Sequence, residues 1–338
     1  MAEKKQQQNG DILEDGTLKL SFMAHRLCSQ KLAENAKLVN HQGTFMLIFC
    51  VLNLIFSLVA TLGNLVVIRA LCKASSIPAT LKKLFLSLAV SDFAVGLFAQ
   101  LMFGIIVAVM LKMAANGNFN FDFLCPRILT VCYFAIYLLT CASFLTIVLI
   151  AVDRVLAVFL HLRYQELVTS KRVAIALLSL WLTSVVAVSS SFILLPDQNN
   201  MVVVTFELFG LLVTTVGYVR IYKVVRHHRN QIASQSQLQN NHTMRILRET
   251  KSTINALLVY IVFLACFLPN LCCIFLLRAD SLGLSFLVAN HVSGFLVLPN
   301  SSLNPIIYCW RYREIRKIVK DLIKRLFVTE NLMTDGSQ

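Results

Sequence analysis

Apolar residues come in long runs along this chain, at about 44–69, 84–111, 123–158, 173–195, 201–225, 253–277 and 282–309. Each run supplies the roughly 20 residues that a helix needs to cross the hydrocarbon of a bilayer. A soluble domain interrupts its apolar runs far more often to make polar surface, so the pattern predicts an all-α, seven-transmembrane helix bundle. After the last run the period changes. Ile315, Ile318, Val319, Leu322, Ile323 and Leu326 recur at helical spacing among seven Lys and Arg residues, which predicts an amphipathic helix on the membrane surface. The alternative is an ordinary basic stop-transfer tail. The domain plan is an N-terminal segment over 1–43, a transmembrane domain over 44–309, an amphipathic helix over 310–327 and a tail over 328–338. The polar stretches 1–40 and 328–338 are expected to be disordered.

Composition agrees with lipid as the solvent: 57% of residues are hydrophobic and only 14% charged, for a mean hydropathy of +0.71, far from the soluble norm. A formal charge of +14 raises nucleic acid as a partner, but such a binder gathers its basic residues on one face of a soluble fold. Here they sit between spans. Twenty-two of the 31 Lys and Arg residues fall in the first, third and fifth connections or after the last span. The positive-inside rule makes that side cytoplasmic and the N-terminus extracellular, with no cleavable signal peptide expected. Cys50, Cys132, Cys141, Cys266, Cys272 and Cys273 lie within apolar runs and read as small core residues.

Polar residues deep in a span are expensive and therefore informative. Asp92 lies in LFLSLAVSDFAVGLF and must face the bundle interior, where Asn64, Ser143, Asn300, Ser301 and Asn304 are its natural company. Such oxygens suit a small hard cation or a water cluster; a plain hydrogen-bonded polar core is an equal alternative. Asp153 and Arg154 end the third span. An Arg154–Glu249 ion pair there would clamp the third span to the sixth, weakly enough, at about 0 to 1 kcal/mol, for a partner to break it. Pro269 and Pro305 each remove a helical hydrogen bond and make hinges of the sixth and seventh spans.

These residues, in this order, resemble the rhodopsin-like (class A) G-protein-coupled receptors across roughly 44–326. The resemblance rests on Gly63-Asn64, Leu88-Ala89-Val90-Ser91-Asp92, Asp153-Arg154-Val155, Trp181, Tyr218, Phe263 with Cys266-Phe267-Leu268-Pro269, and Asn304-Pro305-Ile306-Ile307-Tyr308. It implies an allosteric sodium ion held by Asp92, Ser143, Asn300, Ser301 and Asn304, with no other metal and no enzyme chemistry. It also implies that Arg154, Tyr218 and Tyr308 rearrange as the sixth span swings outward to admit a heterotrimeric G protein, with Leu162 as a G-protein contact. Arrestin and membrane lipid are further implied partners, and the plasma membrane is the implied location. The chain departs from the family pattern at Val155, at Phe267 in place of tryptophan, and at Gly210 where the fifth span usually has proline. The family disulfide to the second extracellular loop cannot form, since no cysteine lies between Cys141 and Cys266. A pairing of Cys125 with Cys28 stays open.

Within the family, the short link Asp197–Asn200, the missing fifth-span proline and Leu162-Arg163-Tyr164 resemble melanocortin, adenosine and cannabinoid receptors. The acidic cluster of melanocortin receptors is replaced here by Met102, Leu129 and Tyr133. Ile136 and Leu298 stand where amine receptors and opsins carry aspartate and lysine. The upper bundle offers Ile136, Tyr137, Asn270, Leu271, Ile274, His291 and Phe295, a mostly apolar set that suits a lipid or small apolar ligand, with a peptide as a further option; the alternative is that these residues simply pack. Glu207 could meet a cation or simply protonate. Two other readings compete. A transporter or channel would share the buried acid and kinked helices, but there is no duplicated half and no chain of acids. A receptor-shaped partner that no longer signals would explain Val155 and Phe267.

Overall fold

The computed structural model describes residues 28–118, 122–124, 127–160, 163–194, 201–234, 257, 260–273 and 283–335. All the predicted spans are present as helices. They are Gly43–Lys73, Ala79–Ala115, Arg127–Leu160, Ser170–Leu194, Met201–Ser234, the described stretch Tyr260–Cys273, and Leu284–Val297 continued by Asn300–Arg311. Among the described residues four are long and apolar enough to cross a membrane: the first, second, third and fourth.

The first span shows why lipid must surround the bundle. Asn53, Ser57, Ala60, Asn64 and Val67 recur at helical spacing and are buried, whereas Leu58 and Leu62 on the opposite face are 61% and 60% exposed. Through the middle of the span polar groups point in, while Leu58 and Leu62 point out. Small inward residues also let helices approach closely. A Cβ on Gly96 would lie 2.7 Å from Thr61 Oγ1, and one on Gly63 would lie 3.0 Å from Pro305 Cγ.

Two irregularities shape the interior. The second span is α-helical over Ala79–Ala94 and Leu101–Ala115 but widens to a π-turn over Val95–Gln100. A π-turn disturbs the regular ladder, and the first span supports its carbonyls: Ser57 Oγ donates to Gly96 O at 2.8 Å and Asn53 Nδ2 to Gln100 O at 2.7 Å. In the seventh span, a turn at Leu298-Pro299 separates the two helices, and Pro305 sits inside the second. The third span packs on the second, fourth and fifth, and the seventh packs on the first and second.

Two expectations about the ends need correcting. Residues 28–41, expected to be disordered, form a helix that buries Cys28, Leu32, Asn35, Leu38 and Val39. Those positions share one face, which is the physical reason the segment folds once the bundle covers it. The amphipathic helix spans Arg313–Asp335, later at both ends than the expected 310–327. It folds back beside the first span, with Ile315 fully buried and Ile318 and Val319 packed on the main core. Cys272, expected in the core, is exposed; Cys50, Cys132 and Cys141 are buried as expected.

Candidate functional site

At mid-bundle, Asp92 is completely buried and accepts three side-chain hydrogen bonds. Ser143 Oγ donates to Oδ1 at 3.1 Å, Ser301 Oγ to Oδ1 at 2.8 Å and Asn304 Nδ2 to Oδ2 at 2.6 Å. The second, third and seventh spans thereby meet at one carboxyl group. Asn64 joins from the first span, with its Nδ2 bonded to Ala60 O at 2.8 Å and Ser301 O at 2.9 Å. Asn300 lies in the same turn of the seventh span and is buried, but does not reach Asp92. Its Oδ1, like those of Asn64 and Asn304, is buried with no hydrogen-bond partner among the described residues.

At the basic end of the bundle, Arg154 is only 6% exposed. Its Nε donates to Asp153 Oδ2 at 3.0 Å and its Nη2 forms an ion pair with the same oxygen. The other oxygen of Asp153 accepts a 2.7 Å hydrogen bond from Tyr164 Oη. Tyr164 stands on the one-turn helix Tyr164–Leu167. Burial, then the Asp153 charge, push its phenol up to about 12, so it remains a donor throughout the neutral range. The expected partner Glu249 and the expected contact Leu162 lie outside the described residues. Glu314 closes this end, bonded to Ser75 N at 2.9 Å and Ser76 N at 3.1 Å. Hydrogen bonds from the Ser76 side chain and the Ser75 amide hold its carboxyl below the ordinary value.

Between the third, fifth and sixth spans lies an aromatic stack. Phe263 is 3.9 Å from Phe267 and 5.2 Å from Phe144, ring centroid to centroid. Gly210 makes room for it: a Cβ there would come within 2.5 Å of the Phe144 ring. Below the stack, Tyr218 and Tyr260 lie face to face at 5.0 Å, and the Tyr260 and Thr215 hydroxyls share a 2.6 Å hydrogen bond. Tyr218 Oη and Tyr308 Oη are buried without a hydrogen-bond partner among the described residues. Pro269 lies two residues past Phe267 in the same helix.

The opposite end divides the proposed pocket residues among different clusters. Ile136 and Phe295 pack on a second core that includes Leu38, Met46, Phe49 and Leu129. His291 Nε2 lies 2.8 Å from Asn35 Oδ1. Tyr137 packs instead with Phe192 beside the fourth span, and Leu271 belongs to the main core. Asn270 Oδ1 accepts a 3.5 Å bond from Ser293. Glu207 is buried at 7% exposure, and Ile274 lies outside the described residues. Cys28 is disulfide-bonded, and Cys125 lies outside the described residues.

A buried acid that joins three spans at mid-bundle, an arginine paired with its own neighbour Asp153 at the basic end of the third and a proline inside the seventh recur in that order along the bundle, and known proteins share the arrangement. The family model described as 7 transmembrane receptor (rhodopsin family) matches residues 63–202 and 198–308. The chain belongs to this receptor family. Among its relatives, melanocortin receptor 4 of Danio rerio is 24% identical over 80% of this chain and 82% of that receptor. Adenosine receptor A2b of Gallus gallus is 27% identical over 88% of this chain and 95% of that receptor. Histamine H2 receptor of Rattus norvegicus is 27% identical over 81% and 78%. The chain is thus a multi-pass plasma-membrane receptor and not an enzyme.

Several residues of the receptor's interior escaped sequence reading. Asn53 and Gln100 are completely buried; Asn53 supports the π-turn by donating to the backbone oxygen of Gln100, its last residue, and each sits in an apolar run, where the cost of a buried amide could have singled it out. Tyr164 carried a resemblance but no role. Asn35 sits in a stretch too polar to attract notice.

Proposed function

We propose that this receptor takes an extracellular ligand at the end of the bundle that carries Tyr133 and His291, and activates heterotrimeric G proteins at its basic end. The observation that carries the reading is Arg154, a buried guanidinium whose partners include the neighbouring Asp153 and, both directly at 3.5 Å and through Asp153, Tyr164. Guanidinium groups exchange carboxylate partners for carbonyl acceptors readily. Outward movement of the sixth span would slide the Phe263–Phe267 pair across Phe144, release Arg154 to a partner and give Tyr218 and Tyr308 hydroxyls the acceptors they lack. Such switching is a two-state bundle that a ligand biases through its differential affinity. The activation set is Asp153, Arg154, Tyr218, Phe263, Phe267, Pro269, Pro305 and Tyr308, together with Glu249, which lies outside the described residues.

A sodium ion fits the polar centre. Asp92, the hydroxyls of Ser143 and Ser301, and the unpartnered Oδ1 atoms of Asn300 and Asn304 are oxygen donors of the kind a hard monovalent cation takes. Bound there, the ion would supply positive charge to the buried carboxyl group and favour the closed arrangement. The basic Arg313–Asp335 helix suits anionic lipid on the cytoplasmic leaflet, and arrestin would compete for the same face as the G protein. The relatives are named for three different ligands, so their names leave the ligand class to the cavity. At that end Ile136 and Phe295 pack in a mostly apolar cluster beside His291, surroundings that favour a peptide, lipid or small apolar molecule over an amine.

The test is nucleotide exchange on a panel of G proteins by membranes carrying the receptor, beside Arg154→Ala expressed at equal surface density. Exchange that is present in the wild type and lost in the variant is expected. Equal exchange in both would overturn the signalling role of Arg154.

A further inference from the structure

The feature that the receptor reading leaves unused is the helix over residues 28–41. Its inward face presents Leu32, Leu38 and Val39 on either side of Asn35, all 8% exposed or less. These residues share a core with Phe49 of the first span, Phe103 and Met110 of the second, Leu129 and Cys132 of the third, and Leu287 of the seventh. Asn35 itself is fully buried and bonds to two spans at once. Its Nδ2 donates to Tyr133 Oη at 3.1 Å, and its Oδ1 accepts from His291 Nε2 at 2.8 Å. An apolar helix face seated in a groove, with one polar group fixing its register, is how helical peptides are recognised. Here the peptide is part of the receptor.

We propose that the outer cavity is a helix-binding site whose resident ligand is the receptor's own segment 28–41, and that an external agonist must displace it. The inference rests on the receptor reading above. A lone helix of this length is marginal in water, so the segment owes its fold to the cavity that holds it. It is tethered at both ends, by the disulfide at Cys28 and by the junction to the first span, where Gln42 N bonds to Leu38 O and Met46 N to Gln42 O. Tethering keeps its local concentration high, so that a displaced helix returns without diffusing away. The same geometry specifies the external ligand: a carboxamide between apolar groups one helical turn apart, able to engage Tyr133 and His291 together.

The experiment uses the full-length receptor in lipid nanodiscs and compares wild type with Asn35→Leu and His291→Phe. Hydrogen–deuterium exchange over 28–41 reads whether the helix is seated. Maleimide labelling, mapped by mass spectrometry, reads whether the cavity opens at Cys132, with Cys141 as a buried reference outside this cluster. In the wild type, protected amides and an unlabelled Cys132 are expected. In each variant, loss of the shared hydrogen bonds should raise amide exchange on the order of 10-fold, with Cys132 becoming reactive while Cys141 stays silent. Unprotected amides in the wild type would overturn the proposal, as would a Cys132 that remains sealed after the amides lose protection. Neither readout involves a G protein, so silence in nucleotide exchange would count against the signalling reading alone.

Discussion

Ser143 and Phe144 are neighbours on the third span, yet they serve two differently built halves of the interior. Ser143 faces Asp92 of the second span, and there the contacts are directional: three donors, two of them from the seventh span, converge on Asp92 within 2.6 to 3.1 Å. Phe144 faces the sixth span, and there the contacts are stacked rings within 3.9 to 6.1 Å of one another. A hydrogen bond is lost when its atoms move by an ångström or so, whereas stacked rings have a broad range of favourable offsets. The difference assigns the two halves different work. The polar half fixes the second, third and seventh spans together; the aromatic half lets the sixth span slide while staying packed.

The largest expected effect comes from emptying the aromatic half. Phe263 is completely buried, and Phe263→Ala should cost about 3–5 kcal/mol of stability through lost burial and the cavity left behind. Thermal melting of purified receptor checks the size, and the conservative Phe263→Leu should recover most of it. On the polar side, Asn304→Ala removes the 2.6 Å donor to Asp92 and leaves that oxygen without its partner. The expected cost is about 1.5–3 kcal/mol, as for other hydrogen bonds to charged or strongly polar groups. If the comparison is sound, Asn304→Ala should also let the second and seventh spans move apart, read as a longer distance between spin labels on their exposed faces. Phe263→Ala should leave that distance unchanged.

How much of this was legible in the sequence follows the same division. Asp92, Ser143, Ser301 and Asn304 could be grouped in advance, because a polar atom in a lipid-facing run has few ways to be satisfied and its partners are few. The seven spans were legible for the same reason. Phe263 and Phe267 could be named only through the resemblance, since one aromatic residue in an apolar run looks like any other. Gly210 stands where the family usually has proline, and only the 2.5 Å approach of the Phe144 ring explains what the glycine is for. Residues 28–41 were misread because their amphipathic face is short and interrupted by polar residues, and its burial depends on a cavity that no local pattern encodes. The π-turn over Val95–Gln100 leaves no local signature either, since its carbonyls are bonded by side chains some forty positions earlier.

The smallest effect tests whether the basic end belongs with the directional half. Tyr164→Phe keeps the ring on its one-turn helix and removes only the hydroxyl that bonds Asp153 at 2.7 Å. Because Tyr164 is half-buried, the cost in stability should fall near the lower end of the 0.5–1.5 kcal/mol typical of a neutral hydrogen bond, so about 0.5 kcal/mol. The consequence for signalling should be larger than the consequence for stability. Tyr164 holds one carboxylate oxygen of Asp153 while Arg154 holds the other, so losing the hydroxyl frees Asp153 to turn and loosens Arg154 with it. A bias of about 0.5 kcal/mol roughly doubles the population of the released state. Ligand-free nucleotide exchange by Tyr164→Phe should therefore rise about twofold, and the rise should vanish in the double variant with Arg154→Ala. A rise that survives without Arg154 would place the hydroxyl's influence elsewhere, and the basic end would then have to be grouped with the sliding half.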